Sequence, residues 1–177
     1  MNNTTIPITI RPYNPKNDGH WAYSLWNKTV GEEWPLDHQT FQNITVKNPQ
    51  YQHGDHLVAS LDGKTVGFIA SQTRVDEAAQ RNRGEIMVIL VDPGHQRSGV
   101  GTALLFQTIA NFKAKALTDI QLGGGGTTYF WPGVPCNLPH ANKFFQKHGF
   151  EFTEKSIDMV LNLRTYKTPD WVHDRIR

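Results

Sequence analysis

Three observations predict an α/β fold built on an α+β mixed sheet. The segment EIMVILV (85–91) is apolar at every position after its first, the composition of a central strand covered by helices on both faces. Leu105, Ile109, Phe112 and Ala116 follow it at spacings of four, three and four, the buried stripe of a long helix. Two further apolar runs, HLVASL (56–61) and TVGFIAS (65–71), flank Asp62-Gly63, a dipeptide suited to the tight turn of a β-hairpin.

The remaining elements follow in chain order. Ile8 and Ile10 alternate with Thr9 and Arg11 in a short first strand, and a helix is expected from about Asp18 through Trp21, Leu25 and Trp26. Pro35 and Asp37 restart a helix that carries Phe41 and Ile44 and ends near Asn48-Pro49. After the hairpin, the polar stretch Arg74 to Arg83 reads as a loop before the central strand, which stops at Asp92-Pro93. The long helix begins near Gly99, and DIQL (119–122) makes another strand, terminated by the glycines at 123–126. An aromatic, proline-rich loop (YFWPGVP, 129–135), a short helix around 141–147 and final strands within 150–163 complete the chain.

The 177 residues are enough for one domain with a full core, and no composition shift divides them, so 1–177 is read as a single unit. With 38% hydrophobic and 19% charged residues the chain reads as soluble and globular. A net charge of +2 gives little general attraction to nucleic acid, while leaving room for a local phosphate site. Neither a signal peptide nor a membrane span is legible, so a cytoplasmic location is expected. The single cysteine, Cys136, excludes an intramolecular disulfide. The eight histidines, His53 and His56 included, follow no ligand pattern, and no metal is expected.

The stretch HQRSGVGTALL (95–105) carries the strongest chemical signal. A helix N-terminus presents unpaired N–H groups and a partial positive charge, and glycines let an anion's oxygens approach them. Residues 96–102 therefore read as a phosphate cradle or, on the glycines alone, as a tight strand-to-helix turn. Two common nucleotide motifs are excluded. Gly101 is followed by Thr102-Ala103-Leu104 and not by the lysine and then hydroxyl residue of a P-loop, and Leu104 stands where a dinucleotide fold needs its third glycine.

The string Gln96-x-x-Gly99-x-Gly101, placed after Val91-Asp92-Pro93 and leading into Thr102-Ala103-Leu104-Leu105, resembles the acetyl-CoA signature of the GCN5-related N-acetyltransferase (GNAT) family. ANKFFQKHGF (141–150) resembles that family's later motif. The resemblance implies a GNAT-like central sheet whose fourth and fifth strands splay apart, with the pantetheine arm of acetyl-CoA between them. It assigns Ile89 and Val91 to the pantetheine, and Gln96, Arg97, Ser98, Gly99, Val100, Gly101 and Thr102 to the pyrophosphate. Arg97 and nearby lysines are further candidates for the 3′-phosphate.

The implied chemistry is acetyl transfer from acetyl-CoA to a primary amine of a small molecule, peptide or protein. A lysine-type amine is roughly one part in a thousand neutral near pH 7.4, so a proton acceptor is needed. Glu85 stands where some family members carry a glutamate base, and a glutamate there must be buried or work through a water. Read as residues alone, it is a solvated charge at a strand entrance. Many members place a tyrosine acid where this chain has Phe145, a position that also borders the cosubstrate; phenylalanine leaves protonation of the thiolate to water, Tyr129, Cys136 or His148. Glu32, Glu33 and Trp34 lie where members line the acceptor pocket, and acid with aromatic suits a cationic amine. Tyr129, Phe130 and Trp131 wall the acceptor, pack in the core or join two copies as a homodimer. The competing readings are a CoA-binding regulatory module with little turnover and a nucleotide-binding protein, the latter weakened by the absent lysine and third glycine.

Overall fold

The structure is a computed structural model that describes residues 7–76, 81–124, 128–157, 162 and 164–176. Its elements run β1 (Ile8–Pro12), α1 (Pro15–Thr29), α2 (His38–Ile44), β2 (Leu57–Leu61), β3 (Lys64–Asp76), β4 (Arg81–Val91), α3 (Val100–Ala114), β5 (Ile120–Leu122), α4 (Pro139–Lys147) and α5 (Asp170–Ile176). The five strands form one mixed sheet in the order β1-β2-β3-β4-β5, antiparallel except for the parallel β4–β5 pair. Among the described residues no helix is long and apolar enough to cross a membrane.

Helices cover both faces of the sheet. Because side chains alternate along a strand, Val58, Phe68, Ala70, Val88 and Leu90 meet Ala22, Leu25 and Trp26 of α1 and Phe41 of α2 on one face. Leu57, Ala59, Val66, Ile69 and Ile86 meet Val100, Leu104, Leu105 and Phe112 of α3 on the other. The hairpin turn is as the dipeptide predicts: Asp62 (φ 51°) and Gly63 (φ 71°) both adopt positive φ.

Several boundaries correct the sequence reading. α1 starts at Pro15 rather than near Asp18, because Asn14 caps the amides of Lys16 (3.0 Å) and Asn17 (3.4 Å). Asp18 instead reaches back to the Asn14 N–H (2.8 Å) and pairs with both terminal nitrogens of Arg11 at 2.7 Å, tying β1 to α1. The expected loop from Arg74 to Arg83 is largely two strand arms, with Arg74 opposite Arg83 and Val75 opposite Asn82; residues 77–80 of that range lie outside the described residues. These arms run past the end of β2 and carry no apolar alternation: Val75 is exposed, and Arg74 and Arg83 are half-buried.

α3 ends before Ala116, which takes φ 58°, and the buried stripe passes to Leu117. The strands expected within 150–163 are absent from 150–157, where the chain has no regular structure; 158–161 and 163 lie outside the described residues. α5 was not anticipated at all.

The feature that positions the site is the end of the β4–β5 pairing. The two strands pair at Gly84–Ile120, Glu85–Gln121 and Ile86–Leu122, and the Gly123 N–H closes the ladder on Ile86 O at 2.9 Å. Beyond that rung β4 continues to Val91 without β5. On its other side, Ala70 pairs with Val88 and Ser71 with Ile86, so Met87 is the extra residue of a β-bulge at the point of separation.

Candidate active site

The loop after β4 is built to present its backbone. Asp92 caps a single 3₁₀ turn (Pro93–His95) through the Gly94 N–H at 3.0 Å and is held by Lys28 Nζ from the last turn of α1 at 2.6 Å. These donors hold its carboxyl below the usual carboxylate range, the Lys28 hydrogen bond foremost. The chain then reverses through Arg97 (φ 64°) and Gly99 (φ 90°). At Gly99 the demand for glycine is conformational, since an added Cβ would come no closer than 3.7 Å to Ile8 Cδ1.

α3 begins at Val100 with no side-chain cap, and Ala103 is the first residue whose N–H bonds back, to Gly99 O at 2.9 Å. The amides of Val100, Gly101 and Thr102 are thus the unpaired ones of a helix start. Residues 96–99 are exposed, so the cradle faces solvent. Ser98 Oγ donates to His95 O at 2.6 Å, which directs this side chain back into the loop. Thr102 Oγ1 contacts His148 Nε2 at 3.3 Å while His148 Nδ1 contacts Phe144 O at 2.8 Å. A carbonyl only accepts, so Nδ1 carries the proton and, in neutral imidazole, Nε2 receives the Thr102 hydroxyl. The start of α3 is thereby tied to the end of α4.

Beside the cradle lies the gap left by β5. The Asp92 N–H bonds Val66 O at 2.8 Å on the β3 side. Alternation along the strand directs the polar groups of Val91 and Ile89 to the opposite edge, into the gap. Gln96 Nε2 donates to Val91 O at 3.2 Å, bringing the first cradle residue to that edge. A cavity of about 70 Å³ occupies the gap, lined by Ile86 to Leu90, Leu122, Gly123, Trp131, Ala141 and Phe145 among others. Phe145 packs edge-on against Phe144 (5.2 Å) and Phe150 (5.6 Å) and brings no hydroxyl. The structure therefore brings Ile89, Val91, Phe145 and the 96–102 loop to one side of β4.

Glu85 lies elsewhere. It is fully buried on the α1–α2 face and lines neither this cavity nor the one described next. Its Oε2 accepts from Gln72 Nε2 at 2.6 Å, and Oε1 from Arg74 Nη1 at 3.3 Å. The direction of this chain is set by the backbone: the Gln50 N–H donates to Asn48 Oδ1 (3.0 Å), so Asn48 Nδ2 faces Gln72 Oε1 (2.5 Å) and the Gln72 amide nitrogen faces Glu85. The notion of a solvated charge at the strand entrance does not survive this burial.

A second cavity, of about 240 Å³, lies under the α1–α2 connection, lined by Trp26, Glu33, Trp34, Pro35, Leu36, Ile44, Phe130 and Trp131. Its aromatic wall is interlocked. Trp26 stacks on Phe130 at 4.6 Å and on Trp131 at 5.1 Å, Trp34 meets Trp131 edge-on at 5.3 Å, and the Trp26 indole donates to Trp34 O at 2.9 Å. Glu33 accepts from Asn137 Nδ2, joining the α1–α2 connection to the loop before α4. Glu32, predicted alongside Glu33, is exposed and outside the lining. Tyr129 and Cys136 are also exposed and line neither cavity.

His53 is exposed, whereas His56 is buried among Tyr13, Tyr51 and Phe68. Burial pushes the His56 pKa down to about 3, and its Nδ1 accepts the Ser71 N–H at 3.2 Å. Among the described residues no three His, Cys, Asp or Glu side chains are grouped to hold a metal ion. Sequence reasoning missed Asn137 and the buried pair Asn48 and Gln72, which lie far from Glu85 in sequence and carry no motif of their own.

Comparison with known proteins agrees with this geometry. Residues 52–152 match the model of the acetyltransferase (GNAT) domain. An uncharacterized N-acetyltransferase of Methanocaldococcus jannaschii is 32% identical over 99 residues, covering 55% of this chain and 39% of the relative. The GCN5-related glucosamine N-acetyltransferase region of a fungal multi-domain GH3 β-N-acetylglucosaminidase superposes with a TM-score of 0.79 at 28% identity, over 97% of this chain and 20% of that one. This chain thus spans well under half the length of either protein. A ribosomal-protein-alanine N-acetyltransferase from Brucella melitensis shares the fold, with a TM-score of 0.67 at 14% identity over 88% of this chain and 100% of that one. The sheet that parts after Ile86, the uncapped start of α3 and the match over 52–152 agree: the chain belongs to the GNAT acetyltransferase family.

Proposed function

We propose that the protein is an N-acetyltransferase that moves an acetyl group from acetyl-CoA to a primary amine. The observation that carries the reading is the parting of β4 from β5 directly beside an uncapped helix start, with a cavity in the gap. Acetyl-CoA supplies an acyl carbon activated as a thioester and a thiol leaving group. The amides of Arg97 to Thr102 hold the pyrophosphate, each bond to a charged oxygen contributing about 1.5–3 kcal/mol. The cleft-facing backbone of Ile89 and Val91 takes the pantetheine amides in the manner of an added strand.

A thiol of ordinary pKa near 8.5 departs as thiolate with modest help, so Phe145 does not preclude turnover. We assign the amine's proton to Glu85. Both its oxygens already accept hydrogen bonds, so the proton arrives through water, at the Oε1 side where the Arg74 contact is the longer and the Arg74 side chain is 25% exposed.

The acceptor occupies the aromatic cavity. Indole faces suit both the C–H face of a sugar ring and a cation, and the Glu33 carboxylate retains acceptor capacity beyond its bond to Asn137. Together with the glucosamine N-acetyltransferase neighbour, this supports an amino sugar as acceptor. The second reading, a CoA-binding module with little turnover, rests on Phe145. Thiol release from acetyl-CoA, measured with glucosamine, spermidine and an alanine-terminated peptide, separates the two. Amine-dependent release is expected, greatest with glucosamine; acetyl-CoA binding by calorimetry with no amine-dependent release would overturn the enzymatic reading.

A further inference from the structure

The two cavities share one lining residue, an indole. Trp131 lines both the gap between β4 and β5 and the aromatic pocket under the α1–α2 connection, held by stacking on Trp26 and edge contact with Trp34. What seats it is backbone. The Gly124 N–H donates to Trp131 O at 3.0 Å, and the Gly123 N–H makes the last rung to β4, on Ile86 O at 2.9 Å.

Neither position tolerates a side chain. Gly123 has φ +76°, and a Cβ on it would lie 2.6 Å from Gly133 N and 2.7 Å from Trp131 O. A Cβ on Gly124 would lie 2.4 Å from Tyr129 Cβ. The segment 129–133 rests on the end of β5 only because these two residues are glycine. The rung that ends the β4–β5 pairing and the contact that seats the indole are therefore made by adjacent residues.

We propose that Trp131 is a partition between the acyl end of the cosubstrate cleft and the acceptor pocket, that Gly123 and Gly124 set its position, and that it both shapes the acceptor site and keeps water from the thioester. This rests on the acetyl-transfer reading. The side reaction it suppresses is hydrolysis: water adds its oxygen to the acyl carbon, the C–S bond breaks, and sulfur leaves with the electron pair. Acetate and free thiol result, water's two protons going to the thiolate and to solvent. Closing a site against this loss is a recognised task of its walls.

The test uses the full chain with Trp131→Ala, Trp131→Phe and Gly123→Ala. Thiol release from acetyl-CoA without any amine is the first readout, KM for glucosamine the second, and acetyl-CoA affinity by calorimetry the third. Trp131→Ala is expected to raise amine-independent release, and to raise the glucosamine KM by about tenfold or more, the scale for losing an apolar contact in a specificity pocket, at nearly unchanged acetyl-CoA affinity. Trp131→Phe restores most of both, because a ring remains. Gly123→Ala moves both in the direction of Trp131→Ala although its indole is intact. Unchanged release in folded Trp131→Ala, or a Gly123→Ala enzyme like wild type, overturns the partition alone. A wild-type chain that fails to bind acetyl-CoA overturns the acetyl-transfer reading and the partition with it.

Discussion

Replacing Glu85 by glutamine preserves size but reverses one hydrogen-bonding group, and the surrounding chain dictates where the reversal falls. Gln72 cannot turn to accommodate it, because its Oε1 is taken by Asn48 Nδ2, which is itself oriented by the Gln50 N–H. The new side chain must therefore turn its oxygen to Gln72 Nε2 and its amide nitrogen to Arg74 Nη1, a donor against a donor where a 3.3 Å ion pair had been. Loss of a hydrogen bond between charged groups costs about 1.5–3 kcal/mol. The Arg74 side chain is 25% exposed and recovers some hydration, so the lower half of that range is expected. At about 2–4 °C per kcal/mol for a domain of this size, the melting temperature should fall by several degrees.

If Glu85 also accepts the amine's proton, kcat should drop by about 10²–10⁴ at unchanged acetyl-CoA affinity, and the defect should shrink for acceptors of lower pKa. Thermal unfolding and steady-state kinetics across amines of graded basicity report the two effects separately. A Glu85→Gln chain that melts with wild type would refute the donor-chain argument. Equal kcat with a strongly basic amine would remove Glu85 from the mechanism and leave water as the proton's route.

Further outcomes follow from the same geometry. Gly99→Val places a branched side chain at φ 90°, where a left-handed conformation costs an L-residue about 1–2 kcal/mol, so acetyl-CoA affinity measured by calorimetry should fall; unchanged affinity in a folded variant would remove the cradle. Phe145→Tyr adds a hydroxyl at the wall of the gap, and turnover should hold or rise; a large fall in kcat with acetyl-CoA binding intact would show that the position serves packing alone. The Arg11 hydrogen bonds hold the Asp18 carboxyl below its ordinary 3.8. A depressed carboxyl contributes stability that is full above the ordinary pKa and lost as pH falls through the folded one. Asp18→Asn should therefore lower the urea midpoint at pH 7 and narrow the difference from wild type below about pH 3.8, whereas a gap that stays constant with pH would refute the assignment.

Sequence by itself determined what depends on neighbours along the chain. Continuous apolar runs placed the strands of the hairpin, which are covered on both faces, and the helical period of apolar residues placed the body of α3, since burial on one face of a helix imposes that period whatever the partner. Asp62-Gly63 specified its turn, and the Gly99-x-Gly101 spacing marked the start of α3, because positive φ and close approach are local demands that few residues meet. In the strand arms at 74–76 and 81–83 the sequence carries no apolar alternation, so there was no period to read and the segment looked like a loop.

Tertiary structure decided everything that depends on residues distant in sequence. Asn48, Gln72 and Glu85 meet only because β3 and β4 are paired beneath the end of α2, which turned an apparent surface carboxylate into a fully buried one. Glu33 entered the pocket lining while Glu32 beside it did not, a distinction set by the path of the α1–α2 connection against the 129–137 loop. Trp131 came to line two cavities where Gly123 and Gly124 let one backbone lie on another. Contacts of that kind arise from the packing of separate segments, and no pattern within either segment encodes them.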